Sequence, residues 1–280
     1  MNSLYTDPLV YDVLHADGTA GEVRMLERLE TRHIGAPPAE SVWLEPACGT
    51  GRYLLLAGAK GRRVIGFDLE PSMIDYARER FKARGIPESA SLFVGDMTAF
   101  SRHVPAKSVT LAFNLINTIR HLPTDRAMLA HFADIRRSLA PRGIYVVGLS
   151  LAAYGLEPPT EDVWTGNRRG IKVRQIVNYT PATGRSSNRA RTEHVASHLV
   201  IDRRGSTEHA DAAYTLRSYS LAQWRSLVRR AAFEIVEAVD HDAIPLAPSE
   251  PGYFIFVLRP SARRTTKTKQ RRPKPASRGN

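Results

Sequence analysis

The stretch Glu45-Pro46-Ala47-Cys48-Gly49-Thr50-Gly51 decides the fold. It closes a β-rich run, Ser41 to Ala47, and stands just before a helix. Two glycines flanking one residue at a strand-to-helix turn let the backbone approach a ligand closely, in dihedrals that side chains disfavour. A bare G-x-G also fits ordinary turn glycines, so context must sharpen it. A dinucleotide turn wants a further glycine where this chain has Leu54, and it cradles a pyrophosphate at a helix N-terminus. Glu45 would repel a pyrophosphate but is compatible with a cationic ligand.

Outward from this turn, strand-like runs alternate with helical patterns, as in βα units stacked around a mostly parallel sheet. Strands are predicted at Ser41–Ala47, Arg63–Leu69, Ser91–Gly95, Val109–Asn114 and Ile144–Leu149, then at Glu234–Val239 and Tyr253–Leu258, seven in all. Pro71 opens one helix, with Met73, Ile74, Ala77 and Phe81 as its apolar stripe. A second begins near Thr124, carries Met128, Leu129, Phe132, Ile135 and Leu139 on one face, and stops at Pro141 and Gly143. Ser220 and Gln223 have the spacing of a capping box ahead of Leu221, Trp224, Leu227 and Val228.

The insertion from Ala152 to Tyr219 reads differently. Ile171, Val173, Val177 and Tyr179 alternate with Lys172, Arg174 and Asn178, and turn-formers at Thr180-Pro181, Gly184, Asp202 and Gly205 divide the region into about three antiparallel strands. Before the core, Glu22 to Leu29 is read as the first helix, ended by Pro37 and Pro38. The expected organisation is therefore lid or cap helices over 1–40, an α/β domain over 41–260 containing the antiparallel insertion over 152–219, and a disordered basic tail over 261–280.

Composition bounds the function. A chain of 280 residues, 42% hydrophobic and 24% charged, suffices for one decorated α/β domain. No run approaches the roughly 20 apolar residues of a membrane span, and no secretory pattern opens the chain, so a cytoplasmic protein without a membrane partner is expected. The single cysteine, Cys48, excludes an internal disulfide framework and a C-x-x-C zinc site. His194 and His198 have a helical spacing in strand-like sequence, and no metal is expected. The net charge of +12 invites a nucleic-acid reading, but eight of those charges lie after Pro260, from Arg263 to Arg278. The tail is read as solubilising; attraction to RNA or another polyanion is the alternative.

With these residues in place, the chain resembles the class I, seven-stranded Rossmann-like methyltransferases that use S-adenosylmethionine (SAM). Their first motif, an acidic residue, three others, then G-x-G, is matched by Glu45, Gly49 and Gly51, with Ala47 inside it. The resemblance implies that Asp68 binds the ribose, that Asp96 and Met97 meet the adenine, and that Leu69 and Met73 supply its other apolar face. It implies that Asn114 presents backbone to the sulfonium and the methyl group. Leu139-Ala140-Pro141-Arg142-Gly143 resembles the L-x-P-x-G turn of the family. The likeness runs from about Leu4 to Pro260 and is strongest from Trp43 to Leu149. Singly, each position has a plain alternative: turn glycines, strand-end caps for the two aspartates, simple core for Met73. In order, and each at the C-terminal end of a strand where open α/β sheets bind ligands, they favour the donor site.

The acceptor is expected to be a small molecule methylated on oxygen or nitrogen. His121, just beyond the fourth strand, is the candidate general base, against a plain helix-start histidine. Leu115 and Ile116 fill positions where enzymes that methylate base amino groups carry Pro-Pro, and no Pro-Cys nucleophile is present. The insertion resembles caps of small-molecule N- and O-methyltransferases that cover the acceptor or mediate dimerisation. Arg217 is a candidate grip for an anionic acceptor, or else an ordinary strand-end ion pair. Tyr5, Tyr11 and His15 precede the first expected helix as a lid, with Tyr11 preferred as the aromatic residue facing the donor. A monomer or homodimer is expected. Two alternatives stay open: an RNA or protein methyltransferase recruited by the tail, and a SAM-binding partner without catalysis.

Overall fold

The computed structural model describes residues 6–87, 90–168 and 170–261. Tyr5 and the basic tail beyond Ser261 lie outside them. At the centre is a seven-stranded sheet whose strands are β1 Val42–Pro46, β2 Arg63–Asp68, β3 Ser91–Val94, β4 Val109–Asn114, β5 Leu139–Leu151, β10 Phe233–Val239 and β11 Gly252–Pro260. Their spatial order is β10-β11-β5-β4-β1-β2-β3, with β11 antiparallel to both its neighbours and the rest parallel. This is the doubly wound α/β fold that the sequence predicts.

Alternation within the strands builds two cores, one on each face of the sheet. Trp43, Leu111, Phe113 and Val146 face Leu26 and Leu29 of α2 (Thr19–His33), Leu54 of α3 (Arg52–Ala59) and Ile74 and Phe81 of α4 (Pro71–Ala83). Their neighbours Leu44, Ala112, Tyr145 and Val147 face Phe132 and Ile135 of α5 (Asp125–Ser138) and Trp224 and Leu227 of α6 (Leu221–Arg230). The capping box at Ser220 and Gln223 is formed.

Three departures from expectation bear on the site. β5 begins at Leu139 rather than Ile144, because Leu139 already pairs with Val109; the register then shifts, and Ala140 to Gly143 are absorbed as an irregularity before Leu111 meets Ile144. The insertion holds four strands, in the order β6 (Thr160–Arg168), β7 (Ile171–Thr180), β8 (Thr192–Arg203), β9 (Ser206–Arg217). The unexpected one, β6, is an edge strand exposed along nearly its whole length, so it has no buried face to impose an alternating pattern. Finally, Tyr11 and His15 do not precede the first helix but lie in one, α1 (Pro8–His15), whose N-cap Asp7 accepts from the backbone N–H groups of Leu9 and Val10. Val10, Val13 and Leu14 pack this helix onto Ile171, Val173, Leu199 and Ile201 of the smaller sheet.

Candidate active site

The turn after β1 is built from unusual backbone. Ala47, Gly49 and Gly51 all have positive φ, at 53°, 52° and 64°; the glycines adopt this region freely, whereas Ala47 is held there by the surrounding structure. The Cys48 N–H donates to Phe67 O at 2.9 Å. The Gly49 N–H donates to Asp68 Oδ2 at 2.8 Å, while Asp68 Oδ1 accepts from the Glu70 N–H at 3.0 Å. One carboxylate thus ties the ends of β1 and β2 together. Its remaining acceptor capacity is open to a ligand. Burial raises the pKa of Asp68, opposed by those backbone donors.

Glu45 lies beneath the turn, 6% exposed, and its Oε2 has no hydrogen-bond partner among the described residues. Burial pushes its pKa well up, against the lowering charge of Arg52. A buried carboxyl oxygen without a partner is costly and is expected to be met by a ligand donor or cation. This is the point at which SAM, whose α-ammonium and sulfonium are positive, fits the residues present.

Asp96 is exposed just after β3, its Oδ1 accepting from the backbone N–H and hydroxyl of Thr98. Asp68 and Asp96 stand at adjacent strand ends, since Asp68 pairs with Val94 and the Gly95 N–H donates to Asp68 O at 2.9 Å. Leu69 is 70% exposed beside them, an apolar surface open to a ring, whereas Met73 is buried and presents none. Met97 is half-buried against the core.

Asn114, fully buried, is the centre of a polar chain across the sheet. Its Nδ2 donates to Pro46 O at 2.6 Å, so its Oδ1 accepts, taking the Tyr145 hydroxyl hydrogen at 2.7 Å. His131 Nε2 lies 2.8 Å from the same phenol oxygen and Nδ1 lies 2.9 Å from Met97 O. The chain runs between two carbonyls and needs one hydrogen more than a neutral imidazole supplies. Burial nevertheless holds His131 down to about 4, despite the raising influence of the Met97 carbonyl, Asp134 and Asp96. Beyond Asn114, Ile116 and Asn117 have positive φ, and the loop is pinned by the Tyr253 hydroxyl on Ile116 N at 3.0 Å and by Asn117 on Ser150.

The lid expected from Tyr11 is a helix lying on the turn. A Cβ added at Gly49 would meet Tyr11 Cε1 at 3.2 Å. Burial pushes Tyr11 up to about 12, the Arg52 charge opposing it, and burial lowers His15 to about 3. Asp12, which the sequence reading passes over, fixes this helix: its carboxylate accepts from Thr50 Oγ1 at 3.2 Å and pairs with Arg80 at 2.5 Å and with Arg168 at 3.0 Å. Asp12 therefore links α1 to the glycine turn, to α4 and to β6. The β6 backbone passes so near α1 that a Cβ on Gly166 would lie 2.3 Å from Val13 O.

His121 sits in a single 3-10 turn, Thr118–His121, exposed at the surface with its ring 5.5 Å from that of Tyr214. The chain around it and the adjacent Arg120 charge lower its pKa. Arg217 is buried and bonded to Asp125 Oδ1 at 2.8 Å and to Pro123 O, the strand-end ion pair. His198 of β8 meets Asp211 and His209 of β9; among the described residues no group of three His, Cys, Asp or Glu is placed to hold a metal.

Residues 44–143 match the methyltransferase domain family. No curated protein matches the chain. Solved structures similar to it include a SAM-dependent methyltransferase from Clostridium acetobutylicum, 13% identical with a TM-score of 0.68 over 90% of this chain and 97% of that one. The sugar N-methyltransferase KedS8 from Streptoalloteichus is 16% identical, with a TM-score of 0.63 over 87% and 89%. SAM-bound CalS10, an amino pentose methyltransferase from Micromonospora echinaspora, is 19% identical, with a TM-score of 0.60 over 84% and 91%. At such identities the likeness establishes the fold. Among the described residues no helix is long and apolar enough to cross a membrane.

Proposed function

We propose, from the premise that this chain is a SAM-dependent methyltransferase of the class I fold, that it methylates a nitrogen or oxygen atom of a small-molecule acceptor. The observation that carries the donor site is the partnerless Glu45 Oε2 under the positive-φ turn, beside Asp68 held by Gly49 N–H. Glu45 and the Gly49–Gly51 turn, with Ala47 between them, hold the amino-acid end of the donor; Asp68 takes the ribose hydroxyls; Asp96, Met97 and Leu69 take the adenine, with Met73 as buried support. Asn114 orders the backbone at the reacting end, and Tyr11 covers the turn and excludes water. When bound, the donor supplies a methyl carbon activated by a sulfonium, so displacement requires mainly alignment in a dry site.

The small-molecule acceptor is supported by the four-stranded cap beside the donor turn, by Leu115 and Ile116 in place of a Pro-Pro pair, and by fold neighbours whose names specify sugars. The test is incubation with labelled SAM and a metabolite extract. Label in a small molecule bears the reading out; label confined to RNA or protein, or none with donor binding intact, overturns it. In the same assay His121→Ala is expected to retain transfer, since alignment and not a dedicated base carries the rate.

A further inference from the structure

Where the cap returns to the core, a cleft of about 480 Å³ opens between the N-terminus of α5 and the loop joining β7 to β8, lined by Asp125, Arg126, Arg185, Arg191 and Arg217 together with serine and threonine hydroxyls. Its electrostatics are out of balance. Arg191 and Arg217, 8% and 4% exposed, share the single carboxylate of Asp125, which also takes Arg230 at 3.3 Å. Arg120, the next buried guanidinium, is matched by its own partner, Glu193, at 3.1 Å. Arg126 and Arg185 are exposed on the cleft wall and have no carboxylate partner among the described residues. Four arginines thus line the cleft against the single carboxylate of Asp125. The excess positive charge is carried by the exposed Arg126 and Arg185, on a concavity that also holds Ser186 and Ser187 as hydroxyl donors. The arginine side chains are also stiffened: Arg191 lies over the ring of Tyr219 at 4.8 Å and Arg185 over that of Tyr154 at 5.7 Å. Planar guanidinium forks suit tetrahedral oxyanions, because several N–H donors can meet several oxygens.

We infer that this cleft binds a multiply charged oxyanion, a phosphate or diphosphate group, carried either by the acceptor or by a separate ligand. The site needs no assumption about methyl transfer. The probe is inorganic pyrophosphate, titrated calorimetrically into the full chain at an ionic strength fixed with sodium chloride. Pyrophosphate binds the wild-type chain, and the Arg126→Ala/Arg185→Ala double variant binds it about tenfold or more weakly. Both positions are exposed, so affinity for S-adenosylhomocysteine stays unchanged and certifies the fold. No binding above the chloride control, or equal affinity in the variant, overturns the site. A wild-type chain that binds pyrophosphate but not S-adenosylhomocysteine sinks the donor site instead. The source is resolved by a second arm, which rests on the methyl-transfer reading: phosphatase treatment of the extract before labelling removes the labelled product if the acceptor carries the phosphate, and leaves it if the oxyanion is a separate ligand.

Discussion

Tyr145 donates its hydroxyl hydrogen to Asn114 Oδ1 at 2.7 Å, joining the middle of β5 to the end of β4 beneath the proposed reacting centre. Through Asn114 the contact reaches Pro46 O, and through His131 it reaches Met97 O. Two loops assigned to opposite ends of the donor are therefore fixed by one buried chain.

Tyr145→Phe preserves the ring and removes the link, leaving Asn114 Oδ1 and His131 Nε2 buried without it. The expected cost is about 1–3 kcal/mol of stability, read from urea denaturation. Affinity for S-adenosylhomocysteine falls too, because Asn114 and Met97 lose their shared support. A purely structural hydroxyl would lower stability and leave that affinity unmoved.

His131 gives a pH dependence of definite sign. Its folded pKa, about 4, lies below the ordinary 6.5, so between these values the unfolded chain binds the extra proton. Stability is full above about pH 6.5 and declines as pH falls towards 4, by up to about 1.4 kcal/mol per unit from this group. His131→Gln removes one proton's worth of that slope. Comparing the stability of both proteins at pH 7, 6 and 5 checks it, and parallel curves would contradict it.

The parts of this site that a linear reading reaches are those where local backbone need and chemistry coincide: the Gly49–Gly51 turn, and acids at the ends of β2 and β3. The polar chain was out of reach because its members come together only when β4, β5 and α5 pack. One signal was present, since His131 falls on the Met128, Phe132, Ile135 stripe at helical spacing, a polar residue on a buried face that demands partners. Likewise Asp7-Pro8 is an N-cap followed by a first-turn proline, enough to announce α1 and place Asp12 on it. β6 offered less: with both faces largely exposed, its residues obey no alternation, and only Gly166 marks the close approach of a helix.

Asp12→Ala tests the lid. Arg80 and Thr50 lose their buried acceptor, and α1 loses its ties to the turn and to β6. Breaking such a buried pair costs about 3–5 kcal/mol where the remaining charge stays buried; Arg168 is largely exposed and Arg80 partly so, which places the expected loss below that range. Hydrogen exchange within Pro8–His15 accelerates while exchange in β4 and β5 does not. Equal protection of α1 in both proteins would show that its apolar face alone holds it.

Glu45→Gln separates stability from donor binding. The carboxyl is buried with one oxygen unpartnered and its pKa pushed well up, so a neutral amide of the same shape is expected to change stability by no more than about 1 kcal/mol, in either direction. A cationic donor, however, favours the ionised form. Donor affinity in the wild-type chain should rise with pH as Glu45 ionises, and binding below its raised pKa should release a proton, seen as a binding heat that varies with the ionisation enthalpy of the buffer. In Glu45→Gln both effects vanish and SAM binds about tenfold more weakly, the scale of one charge-assisted hydrogen bond. If the glutamine variant binds as tightly as the parent, with the same buffer dependence, then Glu45 does not meet the donor and its buried oxygen has some other partner.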